Sequence, residues 1–210
     1  NRLTVMVEDN RYKEGGHVQL IGKQGYDAPV GYTHTSGIWQ TVYLTAIPSD
    51  CCFKTIHATP DIDNSQVSFS IKILNKSQKT VQANIYYEFQ GSLYDKPNGS
   101  NFSGSMKNIE LQPGENNISL DTVIPDQKLW NFDSPNLYEG YFSLTDESGK
   151  ILDKVNTYFG QRKISIEKYD GRWYEYIYIN NKPVFLSGLL DQGFWPDGIY
   201  TAPSDEALKY

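Results

Sequence analysis

At 210 residues the chain is long enough for one large or two small domains with a core of ordinary size. Sixteen Tyr, nine Phe and four Trp beside seventeen Gly and ten Pro favour pleated, half-buried surfaces broken by frequent turns, so a mainly β fold is expected. A net charge of -6 with no run of Lys or Arg excludes a broad basic field for nucleic acid, and no apolar run approaches the ~20 residues needed to cross a bilayer. The first residues, Asn1-Arg2-Leu3-Thr4, do not resemble a signal peptide. A soluble protein is expected, with the compartment open between cytoplasmic, periplasmic and secreted.

Residues 1–46 hold two strand-like runs, Leu3 to Val7 and Ile38 to Leu44, around a long Gly-rich loop over 11–35 that carries Tyr26, Tyr32 and His34. A pair this short buries no core alone, so it is expected to add to another sheet or to have partners upstream of Asn1. A loop of that length suits a functional or bridging role.

Residues 47–161 carry the densest strand signal. Cys52 to Thr59 leads to a Pro60-Asp61 turn; Gln66 to Asn75 alternates Val67, Phe69, Ile71, Ile73; Thr80 to Gln90 alternates Val81, Ala83, Ile85, Tyr87, Phe89. A polar loop is expected around Asp95 to Ser100, then a weak strand from Met106 to Leu111, the turn Gln112 to Glu115, and a strand from Asn117 to Val123. Leu137 to Thr145, the tight turn Asp146 to Lys150, and Ile151 to Tyr158 close the set. Short strands at this spacing predict an immunoglobulin-like β-sandwich.

Residues 162–210 begin with Lys163 to Glu167 and Trp173 to Ile179, which pair as a hairpin across Asp170-Gly171, followed by a turn at Asn180 to Pro183. Val184 to Leu190 is almost continuously apolar, as in a strand covered on both faces within a parallel sheet. It runs into Asp191, Gln192, Gly193, Phe194 and Trp195; then Ser204 caps a helix start with Asp205 and Glu206 in its first turn. Strand, loop and nascent helix make the first βα unit of an α/β domain.

Cys51 and Cys52 are adjacent, a spacing that disfavours a mutual disulfide, and are expected to be plain thiols at a strand start, one facing in and one out. No two of His17, His34 and His57 sit at ligand spacing near a second ligand, so neither metal nor other cofactor is expected. The Asn-X-Ser/Thr motifs at Asn75, Asn98, Asn101 and Asn117 mark surface loops. Trp39, Trp130 and Trp173 form either a carbohydrate platform or buried anchors, and the anchor role has the greater weight.

Three motif groups, in this order, resemble glycoside hydrolase family 2, which includes β-galactosidases, β-glucuronidases and β-mannosidases. Gly22-Lys23-Gln24 with Thr35 to Leu44 is similar to the end of the family's N-terminal sugar-binding jelly roll. Lys128-Leu129-Trp130-Asn131 with Ser134-Pro135-Asn136-Leu137-Tyr138 resembles elements of its immunoglobulin-like domain. Phe159-Gly160-Gln161-Arg162 and Asn180-Asn181-Lys182-Pro183 to Gly188 resemble the passage into its catalytic barrel. The resemblance implies the tail of a jelly roll over 1–46, an immunoglobulin-like sandwich over 47–161, and the truncated start of a (β/α)8 barrel over 162–210.

The activity implied is retaining hydrolysis of O-glycosides, β-galactosidase-like, by two glutamates whose carboxyls lie ~5–5.5 Å apart. Both are expected beyond Tyr210, so the chain alone should be inactive, and Glu139, Glu167, Glu175 and Glu206 are not assigned to those roles; Glu167 and Glu175 are expected on the hairpin's solvent side. Where the family's barrel strand runs into an Asn and a His lining the sugar pocket, Leu190, Asp191 and Gln192 stand here. Asp191 and Gln192 can still bond sugar hydroxyls and Phe194 or Trp195 can stack on a pyranose, while the structural alternative is that Asp191 caps a loop with Trp195-Pro196 packed beneath it. The implied partner is the parent's carbohydrate substrate, with a homo-oligomer of the parent left open. The alternative function is a stand-alone β-sandwich module binding carbohydrate or protein, with 162–210 as an extra sheet or tail.

Overall fold

The structure is a computed structural model that describes residues 2–7, 38, 40, 42–191, 193, 195, 196, 198 and 200–209. It divides into two compact units, one of residues Ala46–Ser187 and one of Asn1–Thr45 with Gly188–Tyr210.

The larger unit is built on seven antiparallel strands: β1 (Cys51–Asp61), β2 (Gln66–Asn75), β3 (Val81–Leu93), β4 (Lys96–Leu111), β5 (Gly114–Val123), β6 (Leu137–Asp146) and β7 (Ile151–Phe159). One sheet has the order β1-β2-β5 and the other β4-β3-β6-β7. The period-two pattern dictates the packing. Val67, Phe69, Ile71 and Ile73 of β2 are buried, and Ala83, Ile85, Tyr87 and Phe89 of β3 face them in one shared core. Phe69 lies at its centre, 5.0 Å from Phe142, 5.5 Å from Phe89 and 5.7 Å from Phe159 between ring centroids. Burying one such ring stabilises the fold by about 1.5–3 kcal/mol. Gly140 of β6 stands opposite Phe89, where a Cβ would meet the Glu88 carbonyl oxygen at 2.0 Å, so the β3–β6 pairing requires glycine there.

A tyrosine corner closes the sandwich. Tyr138 at the start of β6 is fully buried, and its hydroxyl accepts the Lys128 N–H at 2.8 Å and shares a hydrogen bond with the Ser100 hydroxyl at 2.8 Å. The loop before β6 is thereby tied to β4, as in immunoglobulin-like domains.

Several expectations need correction. The polar loop at Asp95 to Ser100 is mostly strand, because the β3–β4 turn is made by Tyr94 and Asp95 at φ 50 and 61, with Leu93 opposite Lys96. Pro97 is tolerated because β4 is an edge strand. Asn75 marks no surface loop: it is buried, donating to the carbonyls of Lys79 and Leu111. Cys51 and Cys52 are both buried, rather than one in and one out, at the irregular start of β1 where the register shifts between Phe53 and Thr55.

After the sandwich come β8 (Ile164–Lys168), β9 (Glu175–Ile179) and the short β10 (Lys182–Pro183), in the order β10-β9-β8. The β8–β9 hairpin forms as expected; Asn180 and Asn181, at φ 51 and 62, make the tight turn into β10. The expected strand Val184 to Leu190 does not form. Only Val184 continues the ladder, its N–H donating to the Ile177 carbonyl at 2.9 Å, and Leu189 and Leu190 are 100% and 85% exposed. A doubly covered strand needs neighbours on both sides, and none of the described residues supplies them.

In the smaller unit the expected strands at Leu3 to Val7 and Ile38 to Leu44 are likewise absent among the described residues, whose apolar side chains there are exposed. The 11–35 loop and Trp39 lie outside the described residues. Helix α1 (Asp205–Lys209) starts where expected, with Ser204 Oγ accepting the Ala207 N–H at 3.3 Å. No helix among the described residues is long and apolar enough to cross a membrane.

Candidate functional site

The residues expected to contact sugar are only partly in view. Asp191 is exposed and its Oδ1 accepts the Gly193 N–H at 2.9 Å, so it performs the loop-capping role that a short acid two residues before a glycine favours. Trp195 is half-buried. Gln192 and Phe194 lie outside the described residues.

The motif residues converge more strongly elsewhere, where the sandwich meets the β8–β10 sheet. Trp130, in the β5–β6 connection, donates its N–H to the Gln161 carbonyl at 2.9 Å, and the Asn180 side chain donates to the Trp130 carbonyl at 2.8 Å. Asn180 also exchanges two bonds with the Lys163 backbone, at 2.9 and 3.0 Å. The Arg162 guanidinium lies 4.6 Å from the Trp130 ring centroid. Gly160 packs closely here, since a Cβ would come within 3.2–3.3 Å of the Trp130 side chain. Beside the indole lies a cleft of about 450 Å³ whose lining includes Pro60, Trp130, Tyr158, Arg162 and Ile164.

Gln161 anchors the junction from within. Its side chain is fully buried, and Nε2 donates to the Gln66 carbonyl at 2.9 Å and to Gln127 Oε1 at 3.0 Å. Across the surface, Lys163 Nζ and Asn181 Nδ2 both reach the Asp63 carboxylate, each at 2.8 Å. Upstream, Asn136 donates to the Leu129 carbonyl and accepts from Asn98, at 3.0 and 2.9 Å, which sets the loop carrying Trp130. The motif residues were visible in sequence; their convergence was not, because Trp130, Gln161 and Asn180 come from three separate stretches.

Four carboxylates are engaged in structural hydrogen bonds. Asp63 is held below the usual carboxylate range first by the hydrogen bond from Lys163, Asp61 by one from Asn64, Glu115 by Lys54, and Asp146 by Ser148. A glycosidase acid needs a shift upward. Glu167 and Glu175 are both exposed, but they do not share a face. Glu167 is opposite Tyr176, whereas Glu175 is opposite Lys168, the neighbour of Glu167. Trp173 is also not the buried anchor expected: it is 90% exposed beside the hairpin tip, with its indole edge-on to Tyr174. No group of three or more His, Cys, Asp or Glu side chains among the described residues is placed to hold a metal.

The family model for glycosyl hydrolases family 2 matches residues 52–162, more than half the chain, from the first strand of the sandwich to the arginine stacked on Trp130. The chain belongs to glycosyl hydrolases family 2. Among curated relatives, it is 27% identical over 161 residues to a beta-galactosidase of Vibrio vulnificus, covering 73% of this chain and 14% of that protein. A beta-galactosidase of Photobacterium profundum is 23% identical over 155 residues, with coverage of 73% and 14%. The chain thus spans a small part of the length of the curated relatives it matches. Among solved structures, Bacteroides uniformis beta-glucuronidase 2, covalently bound to cyclophellitol-6-carboxylate aziridine, aligns at a TM-score of 0.55 and 21% identity, over 77% of this chain and 20% of that one. The beta-D-mannosidase from Dictyoglomus thermophilum aligns at 0.50 and 24%, over 66% and 17%. At these identities the alignments show a shared fold alone.

Proposed function

We propose that this chain is a non-catalytic part of a retaining, β-galactosidase-like glycoside hydrolase, in which it forms the sandwich that carries the start of the catalytic barrel. The family match ending at Arg162, where the sandwich is clamped to the next sheet, is the observation that carries this reading. The beta-galactosidase relatives support the substrate class. In this reading residues 1–46 belong to the sugar-binding jelly roll, residues 162–210 open the barrel, and the two catalytic carboxylates come from outside this chain. The downward shifts of Asp61, Asp63, Glu115 and Asp146 agree with structural roles inside it.

Asp191, Gln192 and Trp195 are the proposed sugar contacts at the mouth of that barrel. Asp191 is exposed and commits one carboxylate oxygen to Gly193, so the other can accept a sugar hydroxyl. The test is the reading frame beyond Tyr210. It should continue into further βα units bearing two glutamates, and the longer protein should hydrolyse aryl β-galactosides with retention at the anomeric carbon. A stop codon directly after Tyr210, or inversion by the longer protein, would refute the proposal.

A further inference from the structure

The outer face of the four-stranded sheet carries a polar depression that neither hydrolysis nor the junction uses. It measures about 380 Å³ over β3 and β4 and is lined by the exposed side chains of Glu88, Gln90, Asn101 and Ser103, with Phe89 and Phe102 contributing to its floor. A β-bulge between Gln90 and Ser92 interrupts the register beside it, and such bulges re-aim side chains on a sheet surface.

Strand register arranges the face in rows, since directly opposed residues share a side. Asn101, Gln90, Glu139 and Tyr158 form one row, and Ser103, Glu88, Tyr141 and Asn156 the next. Tyr86 opens a third row, between Ser105 and Ser143. Strands lie ~4.8 Å apart and successive rows about 7 Å apart. The side chains of Gln90, Asn101 and Ser103 make no hydrogen bond to any other described residue. Glu88 is oriented by the Tyr141 hydroxyl, which donates to Oε2 at 3.0 Å, and its Oε1 accepts from no described residue.

Charge and exposure narrow the ligand. Within these three rows Glu88 and Glu139 outnumber one cation, Lys154, whose Nζ lies 3.8 Å from the Tyr141 ring centroid, so this patch does not favour a phosphate, a sulfate or an acidic chain. Tyr86 and Tyr158, 38% and 70% exposed, add flat rings beside the polar groups. Two open amides, a hydroxyl and an oriented carboxylate next to tyrosine rings suit a neutral ligand with vicinal hydroxyls and one apolar face. We propose that this sheet face binds a neutral oligosaccharide, with Glu88, Gln90 and Asn101 bonding its hydroxyls and Tyr86 packing on a pyranose ring. This goes beyond glycoside cleavage and does not depend on it.

The test is titration of the complete 15N-labelled 210-residue chain with lactose, cellobiose or mannobiose, each followed by amide chemical shifts. At least one sugar should move signals within 86–90 and 101–105, saturating with a Kd of about 1 mM, in the affinity range of a few hydrogen bonds. Glu88→Gln and Gln90→Ala should each weaken that binding about tenfold. Lys72→Ala, on the other sheet, should leave it unchanged, and retained dispersion of the core signals would show that the variants fold. Absence of shifts with all three sugars, shifts confined to the vicinity of Asp191, or unweakened binding by both site variants would each overturn the proposal. None of these results depends on whether the longer protein hydrolyses anything.

Discussion

Tyr138 illustrates how one atom can hold an element in place. Replacing it with Phe keeps the buried ring but removes the hydroxyl that pairs with the Ser100 hydroxyl and the Lys128 N–H. Tyr138→Phe should therefore lower stability by about 1–3 kcal/mol, seen as a lower urea midpoint at unchanged m. The thiols give a second prediction at this scale. Burial is the first cause raising the pKa of both Cys51 and Cys52, with nearby Asp50 adding to it at Cys51, so little thiolate is present at neutral pH. Alkylation by iodoacetamide should be slow in the folded chain and fast in denaturant; equal rates would show that the thiols are accessible in the folded state.

At the scale of elements, the surface clamp between Asp63 and Lys163 predicts a pH dependence. The Lys163 hydrogen bond is the first cause of the lowered Asp63 pKa, so this contribution is complete above the unfolded value near ~3.9 and is lost as pH falls through the lower folded value. Lys163 is raised by Asp63, so its contribution is complete below about 10.4 and is lost as pH rises through the higher folded value. The pair is exposed, which keeps the effect small. The melting temperature of Asp63→Asn should lie slightly below wild type at neutral pH, with the gap closing below about pH 4; a gap independent of pH would remove the clamp from the account.

Elements with one buried face were the most legible in sequence. The bounds of β2 match expectation residue for residue, because Val67, Phe69, Ile71 and Ile73 alternate with more exposed positions. The Pro97-Asn98-Gly99 stretch misled, since the chain turns earlier through two non-glycine residues of positive φ. Trp173 misled for another reason: periodicity does not show that a hairpin end carries its aromatics outward. In the candidate sugar site, the capping tendency of Asp191 was legible from the glycine two residues on, while any pocket depends on partners remote in sequence.

For the whole molecule, seven strands and one aromatic core make a family 2 sandwich, and hydrogen bonds around Trp130 tie it to the β8–β10 sheet. The role proposed for this sandwich is to support catalysis without performing it. The direct measurement is p-nitrophenol release from p-nitrophenyl β-galactoside by the purified 210-residue chain at neutral pH. Release at the rate of buffer alone is predicted; enzyme-dependent turnover abolished by Glu167→Gln or Glu175→Gln would contradict it.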